Sequence, residues 1–166
     1  AYRQQRILPR TAAITPAEFI NYFRQWTDEG YEVIHISLGA EFSSSYQNCC
    51  IAAQELKNVY PVDSRNLSTG IGLLVIEAAG RIAQGMPARE IQQEINVLRT
   101  KSHASFILDT LTFLHAGGRC SGVAALGANL LNIKPCIEVD NTIGKMQVGQ
   151  KYRGSLDSVL KKYVKD

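Results

Sequence analysis

At 166 residues the chain has the length of about one domain, and folding at that size buries roughly 70% of the unfolded chain's surface, enough for a real core. An apolar share of 45% and a charged share of 20% fit a compact globular protein and exclude a disordered, collagen-like or charge-rich coiled-coil chain. The net charge of +3 comes from the end of the chain, where Lys145 to Asp166 hold six basic and two acidic residues; this reads as the solvated side of a terminal helix, and nucleic acid is not expected as a partner.

Taken in chain order, Thr15-Pro16-Ala17-Glu18 is a helix start, with Thr15 as N-cap, Pro16 at the first helical position and Glu18 closing a capping box. Phe19, Ile20, Phe23 and Trp26 follow at helical spacing, and Gly30 stops the helix. Tyr31 to Ser37 is rich in β-branched residues and predicts a strand, followed by a polar loop over Leu38 to Ser43 and a helix from Ser44 to about Leu56 bearing Ile51, Ala52 and Leu56. Asn58 to Val62 predicts a short strand and Thr69 to Gln84 an apolar helix; Pro87 opens another helix, with Ile91, Ile95 and Leu98 on one face. Strands alternating with helices imply a parallel sheet covered on both faces, because parallel strands need long crossovers.

After Lys101 the pattern changes. Ser105 to Asp109 predicts a strand, Gly122 to Asn132 a helix, Cys136 to Val139 with Lys145 to Tyr152 a hairpin, and Leu160 with Tyr163 a last helix. The expected class is α/β, with part of a parallel-sheet domain over residues 1–102. Part of a second, smaller α/β domain with an antiparallel hairpin is expected over residues 103–166. Four cysteines, Cys49, Cys50, Cys120 and Cys136, form no C-x-x-C pair and have no histidine at ligand spacing, so no metal site is expected. Reduced thiols and the lack of a secretory segment suit a cytoplasmic protein, and no run of about eighteen apolar residues predicts a membrane span.

Two loops are candidate sites. The strand ending at Ser37 leads into Gly39-Ala40-Glu41-Phe42-Ser43-Ser44-Ser45-Tyr46, and in open α/β sheets ligands bind outside the carboxyl ends of strands. Three hydroxyls at a helix N-terminus offer donors to a phosphate or carboxylate, or one of them simply caps the helix. The loop is neither G-x-x-x-x-G-K-[ST] nor G-x-G-x-x-G, so no nucleotide cofactor follows. Gly117-Gly118-Arg119 is the second: either a flexible approach to a guanidinium that grips a carboxylate, or a helix C-cap followed by a surface arginine. His35, His103 and His115 are possible bases without the partners of a triad, and Asp63 and Asp109 each end a strand, where an acid can cap the following turn.

Several stretches together resemble the DegV family of bacterial fatty-acid-binding proteins. Thr11-Ala-Ala-Ile-Thr-Pro16 is similar to its T-S-Q-P-S-P segment. Ser37-Leu-Gly-Ala-Glu-Phe-Ser-Ser-Ser-Tyr-Gln47 is similar to S-L-S-S-G-L-S-G-T-Y-Q, and Val62-Asp-Ser-Arg-Asn-Leu-Ser-Thr-Gly-Ile-Gly-Leu-Leu-Val75 to V-D-S-K-S-A-S-M-G-L-G-L-L-V. Asp109-Thr-Leu-Thr-Phe-Leu-His-Ala-Gly-Gly-Arg119 resembles D-T-L-x-x-L-x-x-G-G-R, and Leu130-Leu-Asn-Ile-Lys-Pro135 is close to the family's wording. Ala12 and Ala13 depart from the family's Ser and Gln, and Ser44-Ser45 from its Gly-Thr.

The resemblance implies a two-domain α/β protein that holds a long-chain fatty acid between its domains and presents the carboxylate to a separate fatty-acid kinase, being itself a carrier without cofactor. By position it implies that Thr11 and Ser43 contact the carboxylate and that Arg119 lies near it. It also implies that the chain corresponds to the middle of a family member. Burial supports such a site: each CH₂ of an acyl chain gains roughly 0.8 kcal/mol, while an ionised carboxylate must be hydrogen-bonded or paired. The alternative is an enzyme acting on a small phosphorylated or carboxylated metabolite through the Ser43 loop, with Asp63 or His103 as base.

Overall fold

The structure, a computed structural model, describes residues 11–120 and 133–166. Helix α1, Pro16–Thr27, starts as its sequence dictates: the Thr15 hydroxyl accepts the Glu18 N–H at 3.3 Å, and the Glu18 carboxylate accepts the Thr15 N–H at 2.8 Å. Strand β1, Val33–Ser37, helix α2, Ser45–Glu55, and strand β2, Val59–Asp63, follow. The strands pair in parallel from Val33 opposite Val59 to Ser37 opposite Asp63. β1 begins two residues later than predicted, because the Tyr31 N–H donates to the Trp26 carbonyl and so closes α1.

Strand alternation sends side chains to two separate cores. On one face α1 and α2 bury Phe19, Phe23, Cys49 and Ala52 against Val59. His35 lies on the same side, its ring edge-on to Phe19 and Phe23 at centroid distances of 5.0 and 5.5 Å. On the other face helix α3, Ser68–Ala83, and helix α4, Ala88–Leu98, bury Leu74, Ala78, Ile91 and Ile95 against Val62, Ile34 and Ile36. Helices thus cover both faces of the parallel pair, as expected. Trp26 and Ile51, which fit the helical spacing, are instead exposed.

A 3₁₀ turn, Arg99–Lys101, leads from α4 into a second sheet. Its strands β3, Ala104–Ile107, β4, Ile133–Asp140, and β5, Lys145–Arg153, are antiparallel in the order β3-β4-β5. The hairpin between β4 and β5 closes as predicted, with the Gly144 N–H donating to the Asp140 carbonyl at 2.6 Å and Gly144 at a φ of 74°. The Asp140 carboxylate accepts the N–H and the hydroxyl of Thr142. Helix α6, Leu156–Tyr163, capped by the Ser155 hydroxyl, packs Val159 on Cys136 and Tyr152. A short helix α5, Thr112–Gly117, lies between β3 and β4 in sequence. The helix predicted over Gly122–Asn132 lies outside the described residues.

The two sheets meet through buried amides. Asn66 Nδ2 donates to the Ser102 carbonyl at 2.8 Å, and Asn141 Nδ2 to the carbonyls of Thr100 and Ser102 at 2.8 and 3.0 Å. Arg65 Nη1 reaches the Thr142 carbonyl at 2.5 Å. These bonds fix the β4–β5 turn beside the carboxyl ends of β1 and β2.

Candidate functional site

The loop after β1 is pressed against the turn after β2. The Gly39 N–H donates to the Asn66 carbonyl at 2.9 Å, and the Phe42 N–H to the Gly39 carbonyl at 2.9 Å. A Cβ at residue 39 would lie 3.1 Å from the Asn66 nitrogen and from the Phe42 ring, so any larger residue there would push the two segments apart by a few tenths of an ångström. Asp63 holds both segments: its Oδ1 accepts the N–H of Ala40 and that of Arg65, each at 3.0 Å. The turn-capping reading of this acid is therefore the observed one.

This frame presents Ser43. Its Oγ accepts the Ser45 N–H at 3.2 Å and lies 2.9 Å from the Ser45 hydroxyl, while Ser44 is exposed and makes no capping bond with its side chain. The serine that closes the first turn of α2 is thus Ser43, and the helix begins one residue later than predicted. A hydroxyl has one proton and two acceptor lone pairs, so the half-buried Ser43 can keep its cap and still donate to an incoming oxygen. Thr11 is exposed, in the segment before α1. That segment is tied to α2 by Asn48 Nδ2, which donates to the Ile14 carbonyl at 2.7 Å.

Arg119 follows the C-cap of α5, where Gly118 takes a φ of 69°. Its Nη1 turns back to the Gly117 carbonyl at 2.5 Å, and its side chain is exposed. The C-cap reading of the Gly-Gly-Arg segment is the observed one, and the arginine that follows it lines a cleft. That cleft, of about 400 Å³, is bounded by Glu41 and Phe42 of the Ser43 loop and by Gly117, Gly118, Arg119, Lys145 and Met146. Across it Lys145 Nζ stands 3.3 Å from Glu41 Oε2. Asp109, at the start of the stretch that leads to Arg119, binds Lys134 Nζ at 2.6 Å.

Behind the loop the electrostatics follow from burial. Arg99 Nη1 donates to the Asp63 carbonyl at 2.7 Å and lies 3.9 Å from its carboxylate. Burial, followed by the nearby Arg65 charge, pushes the Arg99 pKa down. Burial and a bond to Cys50 push the Tyr46 phenol up to about 12. Among the described residues, the buried Ser37 Oγ and Arg99 Nε have no hydrogen-bond partner. Burial among aromatic rings lowers the His35 pKa, whereas His103 and His115 are exposed. No cluster of His, Cys, Asp or Glu among the described residues is arranged to hold a metal, and no helix among them is long and apolar enough to cross a membrane.

Sequence reasoning did not find Glu41, Arg65, Asn66 or Lys145. Their partners are 36 to 104 positions away in the chain: Asn66 meets Ser102, Arg65 meets Thr142, and Glu41 meets Lys145. No local pattern carries such pairings. The only available signal for Arg65 and Asn66 was their place inside the Val62–Val75 stretch.

Comparison with known proteins places the chain among relatives. A family profile described as uncharacterised protein, DegV family, matches residues 1–164. A DegV domain-containing protein of Clostridium perfringens is 36% identical over 150 residues, which is 89% of this chain and 53% of the relative. Among solved structures, a DegV family protein from Thermus thermophilus described for its fatty acid binding superposes with a TM-score of 0.82 at 27% identity, covering 98% of this chain and 60% of that one. The fold is also that of the Streptococcus pneumoniae Fatty Acid Kinase (Fak) B3 protein loaded with linoleic acid, with a TM-score of 0.75 at 24% identity over 93% of this chain and 55% of that one. The chain spans about half the length of the curated relatives it matches.

Proposed function

The chain belongs to the DegV family, and from that premise we propose that it forms part of a non-enzymatic carrier for a long-chain fatty acid. In this reading the carboxylate lies outside the carboxyl ends of β1 and β2, at the Ser43 loop, and the acyl chain runs between two α/β domains. The observation that carries the reading is the shared cleft: the loop that presents Ser43 and the Gly117-Gly118-Arg119 segment, 74 positions apart, face one opening. Arg119 supplies a guanidinium suited to a carboxylate, Ser43 a hydroxyl at a helix start, and Thr11 a second hydroxyl from the segment tied to α2.

A fatty-acid kinase is the proposed partner, on the strength of the family resemblance. The carrier reading is favoured over the enzyme alternative because Asp63, its candidate base, has Oδ1 committed to two N–H groups and Oδ2 3.9 Å from the Arg99 guanidinium, while His103 is not among the residues that line the cleft. General-base catalysis needs a group free to take a proton at the reacting atom.

The test is extraction of the purified full-length protein and mass spectrometry of what it releases, followed by incubation with the acid, Mg²⁺ and ATP with and without a fatty-acid kinase. A long-chain acid at near-stoichiometric level, phosphorylated only when the kinase is added, is the expected result. A short polar metabolite in its place, or acyl phosphate formed without kinase, would overturn the proposal.

A further inference from the structure

The geometry points to Glu41 as a residue that selects the charge of the ligand's headgroup, favouring one negative charge over two. This rests on the carrier reading above. Among the described residues that line the cleft, three are charged: Glu41, Arg119 and Lys145. Lys145 Nζ lies 3.3 Å from Glu41 Oε2, so its charge is balanced inside the cleft, and Arg119 is left as the net positive group. A single carboxylate matches that charge. A phosphate monoester, dianionic above its second pKa of about 6, brings one negative charge too many and meets the Glu41 carboxylate on the facing wall.

Glu41 departs from the family segment that this loop resembles. In the stretch Ser37-Leu-Gly-Ala-Glu-Phe-Ser43, it stands where the family's S-L-S-S-G-L-S pattern has glycine. It is also held in place from both sides. The preceding residue, Ala40, is fixed by the Asp63 carboxylate at 3.0 Å, and the side chain is tethered to β5 by Lys145. Phe42 and Met146 give the same cleft an apolar wall, while the charged pair stays solvated, with side-chain exposures of 60% for Lys145 and 49% for Glu41, so salt screens it in part.

The experiment compares palmitate with hexadecyl phosphate, two ligands of the same chain length, on the delipidated full-length protein above pH 7. The variants are Glu41→Gln and Glu41→Gly, the second restoring the residue of the family pattern in case the amide disturbs folding. The wild type is expected to favour palmitate. Either substitution is expected to raise hexadecyl phosphate affinity roughly three- to tenfold, and palmitate affinity by about the square root of that, roughly two- to threefold, because the repulsion from one carboxylate scales with the ligand's charge. High salt is expected to shrink the difference. An unchanged ratio of the two affinities in both variants, with palmitate binding intact, would overturn the role of Glu41 and leave the carrier reading standing. Failure of the wild type to bind either ligand would overturn the carrier reading and this inference with it.

Discussion

The carboxylate of Asp63, at the end of β2, accepts the N–H of Ala40, in the loop that follows β1, at 3.0 Å. One side chain thereby decides where the next three residues of that loop, ending at Ser43, can lie. Asp63→Ala is expected to lower stability by roughly 1 to 3 kcal/mol, because it leaves the N–H groups of Ala40 and Arg65 without their acceptor. Asp63→Asn keeps an oxygen at that place and should recover most of the loss. Urea unfolding together with hydrogen exchange at the Ala40 amide checks this: exchange should accelerate in the alanine variant, and an unchanged rate would refute the role.

Gly70 and Gly80 lie on the same helix, α3, and should respond oppositely to alanine. A Cβ at Gly70 would stand 2.2 Å from Asn66 Oδ1, whereas nothing lies within 4 Å of one at Gly80. Gly70→Ala must push the buried Asn66 off the Ser102 carbonyl, at a cost of roughly 1 to 3 kcal/mol. This outweighs the gain in helix propensity of about 1 kcal/mol. Gly80→Ala collects that gain and should raise the melting temperature. Thermal unfolding of the two variants is the measurement, and equal shifts would contradict the packing argument.

Ser43→Ala separates cap from ligand. Loss of the bond from the Ser45 N–H should reduce stability by about 0.5 to 2 kcal/mol. Fatty-acid binding should weaken by about 0.5 to 3 kcal/mol through the lost bond to a charged group. Binding at saturating folded protein, measured by calorimetry beside a melting curve, distinguishes the two effects. A variant that binds as tightly as wild type would remove Ser43 from the proposed site.

His35 gives the fold an acid-sensitive point. Burial lowers its pKa from the ordinary 6.5, so the folded protein holds the ring neutral while the unfolded chain takes up a proton below about pH 6.5. The associated stability is fully present above that pH and is lost as pH falls toward the lowered folded-state value. His35→Phe, which keeps an aromatic ring beside Phe19 and Phe23, should flatten this part of the profile. Denaturation midpoints measured from pH 7.5 down to 5.5 check it; parallel profiles for variant and wild type would exclude His35 as the cause.

The sequence by itself determined the local structure, because its determinants lie close together along the chain. The capping box of Thr15 and Glu18, the β-branched run ending at Ser37, the apolar face of Ile91 and Ile95, and the hairpin around Gly144 each depend on residues within one or two turns of each other. The quoted family segments likewise made membership legible before any geometry. What only the tertiary structure decided is how distant polar groups meet. Asp109 met Lys134, Glu41 crossed a cleft to Lys145, and Asn66 bonded Ser102. A lone polar side chain carries no record of its partner, since the energy of a hydrogen bond or ion pair depends on the distance and burial that packing imposes. The apolar periodicities select the faces that pack, and that packing brings the polar groups of the candidate site together.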